Sequence, residues 1–394
     1  MNLSGPLHLA WRYVARHRVQ SLLLAGALGL VLALPVAVRL LVRAAGDQLR
    51  ARALATPLVA GPRGSDTDLM LSALHFRKGA EESLPYSACD SLRDTSLAEA
   101  IPLHLRFHAQ GAPIVGTELE YFDFRHLHLA EGRMITRLGD CVAGARAARS
   151  QGLHAGGSVY SSPEQVFDLA GIYPLKMRVT GILAPSGTSD DDAIFVDVKT
   201  TWLIQGLGHG HDDLVKPENA AAVLNKDKNG QVVANASVHL FNEVTDANIA
   251  SFHFHGDPAE FPIHAMVLLP HDAKSEAILT GRYQGSKEVR IIRPRDVLEG
   301  LLSALFQAEG LIVVALAVVG AAAAAVAALV FSLSFRLRRR EFATLAEVGV
   351  GQGSLLLAKV FEIILVGLGA LAIASALISL LRLLADAVII NGLR

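Results

Sequence analysis

The sequence predicts a membrane α-helical protein with three transmembrane helices and one α+β domain outside the cytoplasm. Three apolar stretches, at 21–43, 310–335 and 355–384, are each long enough for a helix to cross a bilayer core of about 30 Å. A long polar block at 44–309 separates the first two stretches. This spacing predicts a single large domain displayed on one side of the membrane.

The first apolar stretch is predicted to remain as an anchor rather than to be cleaved as a signal peptide. Its apolar run is longer than a signal-peptide core, and Arg39 and Arg43 stand where a small-residue cleavage site would be needed. The preceding segment, 1–20, is a basic amphipathic lead-in.

Positive charge predicts the orientation of the chain. The segment between the second and third spans, 336–354, carries four arginines in five positions, and short loops rich in Arg and Lys stay cytoplasmic. The lead-in is then cytoplasmic as well. The block at 44–309 and the tail at 385–394 are expected outside the cytoplasm.

The exterior block, 44–309, mixes strand-like and helix-like segments. Residues 92–100, 142–151 and 271–284 look helical, and 206–230, which is rich in Gly, His and Asp, is expected to be a mobile loop. Cys89 and Cys141 form either one disulfide or two buried thiols. Runs rich in β-branched and aromatic residues predict strands at 112–121, 175–183, 193–198, 236–241, 262–269 and 289–292.

Composition and motifs exclude several function classes. A net charge of −1 and a 52% hydrophobic share disfavour a nucleic-acid partner. The sequence contains no GxxxxGK[ST], GxSxG or HExxH motif, so it predicts no nucleotide-phosphate loop and no hydrolytic centre. We therefore expect a non-catalytic chain, with any ATPase activity on a partner subunit.

Two segments resemble a known family. The opening LHLAWRYVARHRVQSLLLAGALGL and the later RRREFATLAEVGVGQGSLLLAKVFEIILVGLGALAIA are similar to FtsX-like, MacB-type ABC transporter permeases, and 58–77 resembles the segment after the first span in one branch. The resemblance implies a bacterial inner-membrane permease and a separate ATPase subunit that binds ATP. It also implies a permease homodimer and leaves room for a periplasmic partner protein. Relatives in this branch resemble components of zinc-linked transport.

A short cytoplasmic helix is the predicted contact with the ATPase. A helix from about 338 to 348 would place Phe342, Leu345 and Gly349 on one face. Alternatively, the arginines only anchor the second span at the lipid headgroups. The predicted coupling residues are Arg339, Arg340, Glu341, Phe342, Leu345 and Gly349.

Two charges lie inside the third apolar stretch. Lys359 and Glu362 are three residues apart, so they share a helix face and can pair with each other. They mark either a polar pathway or side chains that reach back to the cytoplasmic interface.

Pairs of histidines are the remaining candidate functional residues. Alternation along a strand puts both imidazoles of an H-x-H pair on one side, where they can chelate a Zn²⁺ or Cu²⁺ ion. The pair His126 and His128 is the weakest candidate, because it lies among apolar residues and packing accounts for it equally well. For all of these histidines, the alternative is that they are simply exposed to solvent. The candidate metal ligands are His209, His211, Asp212, Asp213, His253 and His255.

The sequence thus predicts an ABC permease subunit that couples ATP hydrolysis on a partner to movement of its periplasmic domain, with zinc-related transport as the candidate cargo class. The alternative is a metal-binding membrane receptor or scaffold without transport.

Overall fold

The computed structural model describes residues 3–77, 82–162, 174–211, 223–226, 232–234 and 241–392. The chain divides into two compact units, Met1–Leu49 with Gly300–Arg394, and Arg50–Glu299. Asp212, Asp213 and most of the strand predicted at 236–241 lie outside the described residues.

The described secondary-structure elements of the first unit are all helices, and helices also occur in the second unit. Their bounds are α1 Ser4–Arg16, α2 Arg18–Leu54, α3 Asp66–His75, α4 Ser87–Arg93, α5 Glu120–Phe124, α6 Ala145–Gln151, α7 Val198–Ile204, α8 Ala273–Tyr283, α9 Pro294–Leu337, α10 Arg339–Glu347 and α11 Gln352–Gly392.

Strands occur in the second unit. They are β1 Leu58–Pro62, β2 Leu84–Pro85, β3 Ala98–Leu103, β4 His108–Ala109, β5 Ala112–Thr117, β6 Leu129–Gly132, β7 Asp140–Ala143, β8 Ser158–Tyr160, β9 Lys176–Leu183, β10 Ile194–Asp197, β11 Gly208–Gly210, β12 Val223–Lys226, β13 Val232–Ala234, β14 Phe252–Phe254, β15 Pro262–Ile263, β16 Ala265–Pro270 and β17 Val289–Ile292.

Three helices of the described chain are long and apolar enough to cross a membrane: Arg18–Arg43 within α2, α9, and Gln352–Leu383 within α11. α9 begins well before the apolar stretch at 310, and α11 continues past 384. Gly29 of α2 packs against α11, where an added Cβ would lie 2.8 Å from the carbonyl oxygen of Ala370. Small residues at such contacts let membrane helices approach closely.

The second unit is α+β. A four-stranded antiparallel sheet has the order β17-β1-β16-β3, and a larger mixed sheet has the order β4-β5-β10-β7-β9-β6, with β8 paired to β9. Each sheet has its own buried apolar cluster. Cys89 belongs to one cluster and Cys141 to the other, and both are free thiols. The disulfide alternative is therefore excluded.

Two local predictions in this unit are wrong, and a third is confirmed over most of its length. The helix expected at 92–100 ends at Arg93, because residues 98–103 pair with β16 and Ser96 turns the chain with a φ of 55°. The helix expected at 142–151 is present as α6, which begins at Ala145 because Val142 and Ala143 belong to β7. The loop expected from 206 contains β11, which pairs with β14.

Candidate functional site

The segment that connects α9 to α11 in the first unit is organised around Arg338, which lies between α9 and α10. Its guanidinium donates a 2.8 Å hydrogen bond to Glu362 of α11, lies 3.4 Å from the centre of the Tyr13 ring of α1, and lies 4.8 Å from the Phe342 ring. Lys359 places its ammonium group 4.5 Å from the same Phe342 ring. One arginine thus joins α1, α10 and α11 through ionic and cation–π contacts.

The expected pairing of Lys359 with Glu362 is not what the structure shows. Glu362 accepts from Arg338 instead, because that guanidinium reaches it from the end of α9 while Lys359 turns toward the aromatic rings of Phe335 and Phe342. The Arg338–Glu362 pair is largely buried, with 13% and 6% of the two side chains exposed.

The predicted coupling residues divide into two groups. Phe342 is only 9% exposed and packs within its own chain, so it holds α10 in place rather than presenting a contact. Gly349 has a φ of +95°, the conformation that ends many helices and that glycine adopts without strain. Leu345 is half-buried, and Val348 is 80% exposed. Arg339, Arg340 and Glu341 are exposed.

In the second unit, two H-x-H pairs come together on one short ribbon. β11 and β14 pair antiparallel with His209 opposite His253, which brings His211 and His255 onto the same face. We call this four-histidine pair of strands the histidine ribbon. The His209 ring centre lies 5.0 Å from that of His253 and 4.7 Å from that of His255, and the His211 and His253 centres are 5.2 Å apart.

The residues that alternate with the histidines pack against each other on the opposite face of the ribbon. Gly208 and Gly210 alternate with the histidines, and an added Cβ at either one would lie within 2.7 Å of the ring of Phe254 or Phe252. Phe254 in turn contacts Trp202, a fully buried side chain. Because side chains alternate along a strand, packing the phenylalanines inward turns all four histidines outward.

One hydrogen bond fixes the tautomer of His253 in this group. The Nδ1 of His253 donates to the carbonyl of Ser251 at 3.0 Å, which leaves its Nε2 as the free acceptor. Burial, and then the neighbouring imidazoles, lower the pKa of His209. Ligand atoms of His209, His253 and His255 all lie within 4.8 Å of one another, and within the described part of the chain this is the one group of three that could hold a metal.

Sequence reasoning missed a buried ionic network at the end of α2. Arg52 donates to both carboxylate oxygens of Asp190, at 2.6 and 2.8 Å, and to the hydroxyl of Tyr121 at 3.0 Å. Burial alone would raise the pKa of Asp190, but the Arg52 guanidinium lowers it below its usual value. No motif marks these residues, since an arginine after a span reads as an ordinary topology signal.

Comparison with known proteins identifies the family. The family model described as the MacB-like periplasmic core domain matches residues 32–236, just over half of the chain. The chain belongs to this family. The resemblance to FtsX-like, MacB-type ABC transporter permeases is thereby confirmed, and the matched range includes His209 and His211 of the MacB-like domain.

Two solved structures are similar to this MacB-like chain. The periplasmic region of MacB from Actinobacillus actinomycetemcomitans is 12% identical, with a TM-score of 0.36 over 64% of this chain and 97% of that one. The extracellular domain of the noncanonic ABC-type transporter YknZ from Gram-positive bacteria is 11% identical, with a TM-score of 0.32 over 60% and 98%. No curated protein sequence matches the chain.

Family membership fixes the general role. The chain is an ABC transporter permease-type component with apolar helices and a periplasmic-type α+β domain, and such a component works with an ABC ATPase in a transporter complex. The family is that of a transporter component.

Proposed function

We propose that this chain is the transmembrane subunit of an inner-membrane ABC transporter, with α2, α9 and α11 as its three spans and α10 as the contact with a separate ATPase. Two copies would pair with two ATPase subunits. ATP-driven closure of the ATPases would move the helices and, through them, the periplasmic unit and a periplasmic partner protein. Movement rather than conduction suits these spans, whose described charges lie near the ends.

The observation that carries this proposal is the construction of α10. Arg338, Phe342, Lys359 and Glu362 hold one side of the helix against α1 and α11. The other side exposes charged side chains and the apolar Val348. A partner that displaces this fixed helix would displace α11 with it, because the connection is largely buried and ionic. A helix that merely marked the membrane interface would not need such bracing.

Charge supports a cytoplasmic location for α10. Arg336 lies at the end of one candidate span, and Arg338–Arg340 follow in the short connection to the next, where positive residues favour the inside. The unit Arg50–Glu299 follows α2 and precedes most of α9, and would then lie in the periplasm.

Charge reversal on α10 tests the proposal. Glu341→Lys changes a side chain that is 68% exposed, and the 3.3 Å ion pair that it gives up with Arg338 is a surface contact worth less than about 1 kcal/mol. The chain should therefore fold and insert normally but capture at least tenfold less ABC ATPase from native membranes, as quantified by mass spectrometry. Glu288→Lys makes the same change on an exposed residue of the second unit and should leave capture unchanged. Val348→Asp should weaken capture as Glu341→Lys does.

Equal ATPase capture by wild type and both α10 variants would refute the coupling role. Cysteine labelling that places α10 outside the cytoplasm would refute the topology. A metal-binding receptor or scaffold is the second candidate function, and the histidine ribbon favours it. That candidate predicts no ATPase capture by any variant. Zinc-related transport would combine ATPase coupling with metal binding in one protein.

A further inference from the structure

We propose that the histidine ribbon binds one divalent transition-metal ion of the Zn²⁺ class through His209, His253 and His255, with His211 as the fourth ligand. This inference concerns the second unit alone and does not depend on ATPase coupling. The two H-x-H pairs, which are distant in sequence, would form a single site rather than two.

The spacing suits such an ion. Zinc–imidazole bonds of about 2.0–2.1 Å in a tetrahedral site put the ligand nitrogens roughly 3.4 Å from one another. The nitrogens of His209, His253 and His255 already lie within 4.8 Å. Two of these side chains are exposed, so small rotations about their side-chain bonds can close the remaining gap without moving the ribbon.

The donor set selects the class of metal. Imidazole nitrogens favour Zn²⁺, Cu²⁺ and Ni²⁺, whereas Mg²⁺ and Ca²⁺ require oxygen ligands. Asp257 does not supply one in this structure, since its carboxylate caps the following turn through the amide of Ala259. Imidazole nitrogens gathered around one ion match the ligands of a tetrahedral zinc site.

The ribbon also supplies the support that metal ligands need. The hydrogen bond from His253 to the carbonyl of Ser251 fixes that ring and its tautomer, as carbonyl partners commonly do for metal-bound histidines. The Phe252 and Phe254 rings pack against Gly210 and Gly208 and hold the strands from the other side. Because His253 and His255 remain exposed, the ion would exchange with the surrounding solution rather than be sealed in the core.

Metal titration of the full-length protein tests the site. Protein in lipid nanodiscs, freed of metal with a chelator and desalted, is titrated with Zn²⁺ against a chromophoric competitor, and bound metal is counted by mass spectrometry. Wild type should bind one equivalent, with Mg²⁺ unable to compete. The His209→Ala, His253→Ala double variant should bind Zn²⁺ more weakly by on the order of 100-fold or more.

The matched control removes another H-x-H pair from the same unit. The His126→Ala, His128→Ala variant should keep full affinity, because these residues flank a turn and belong to no three-ligand group in the described chain. Thermal unfolding in chelator should be the same for wild type and the ribbon variant, which shows that the variant is folded.

Equal Zn²⁺ binding by wild type and the ribbon variant would overturn the proposal, as would absence of binding by wild type. Equal losses in the ribbon variant and the control would do so as well. ATPase capture by the ribbon variant should match wild type, so failure of this site is distinguishable from failure of the coupling role.

Discussion

Removing Arg52 should be among the most damaging single changes in the second unit. Its side chain is 5% exposed and that of Asp190 is 2% exposed, and two hydrogen bonds join them. Arg52→Met keeps the length and packing of the stem but leaves the Asp190 carboxylate buried without its main countercharge. The hydroxyl of Tyr121 also donates to Asp190 at 2.8 Å, but it carries no charge.

The expected loss follows from burial. Breaking a buried ion pair by removing one partner costs about 3–5 kcal/mol in the free energy of unfolding, since the remaining charge is uncompensated. Arg295 offers a matched exposed pair, because its side chain is 60% exposed and lies 3.6 Å from Asp296. Arg295→Met should cost less than about 1 kcal/mol. For a unit of this size, 1 kcal/mol corresponds to roughly 2–4 °C in Tm, so the two variants should differ by about 10 °C.

Tryptophan fluorescence provides the assay. The chain has two tryptophans, and Trp202 is buried in the second unit while Trp11 lies in the first. In a Trp11→Phe background, thermal or urea unfolding monitored at Trp202 reports the second unit alone. If Arg52→Met unfolds with the same midpoint as Arg295→Met, the buried pair does not stabilise this unit and the reasoning is refuted. Adding Asp190→Asn to Arg52→Met should recover part of the lost stability, because it removes the uncompensated buried charge.

Three further predictions concern the same unit. Gly208→Ala should abolish Zn²⁺ binding, since its Cβ would lie 2.8 Å from the carbonyl oxygen of His253. The control is Gly281→Ala in α8, where an added Cβ meets nothing within 4 Å. This control should leave Zn²⁺ binding and stability intact or raise Tm slightly. Burial, aided by nearby arginines, lowers the pKa of His75 from 6.5 to about 4, so the unfolded chain takes up this proton first as the pH falls. Stability should then drop between pH 6.5 and 4 by on the order of 3 kcal/mol, and His75→Gln should flatten that part of the Tm profile; identical profiles would contradict the assignment. Burial raises the pKa of Cys89 to about 12 and that of Cys141 above its usual value. Neither thiol should therefore react with maleimide before the protein unfolds. Labelling of the native protein would contradict this prediction, because it would show that the thiols are accessible.

The sequence was sufficient for the apolar helices and the α+β class, because hydropathy and β-branched runs are local signals. Strands at 176–183 and 289–292 and the helix at 273–283 follow from such runs. The helix expected at 92–100 failed because the pairing of 98–103 with β16 is a long-range contact that overrides local preference. α7 was also missed, since Val198–Ile204 is rich in β-branched residues yet forms a helix against β5 and β10.

In the candidate sites, too, the sequence predicts the local arrangement but not the long-range contacts. Period-2 alternation predicts that each H-x-H pair shares one face, but only the register of β11 with β14 brings the two pairs together. Helical periodicity placed Phe342 on an apolar face without telling whether that face meets a partner or its own chain. Its packing against Arg338 and Lys359 decides this, and both contacts depend on tertiary structure.

The connection of the helices to the antiparallel sheet has a mechanical consequence. α2 ends at Leu54 just before β1, and α9 starts at Pro294 just after β17; these two strands are neighbours, with Val59 opposite Ile292 near the end where both helices attach. A force that pulled the two attachment points apart would break the strand–strand hydrogen bonds one after another from that end, which is the weakest loading geometry for a sheet. A force that moved both points in the same direction would not pull β1 and β17 apart, so this pairing resists a concerted displacement of the two points better than an opposed one.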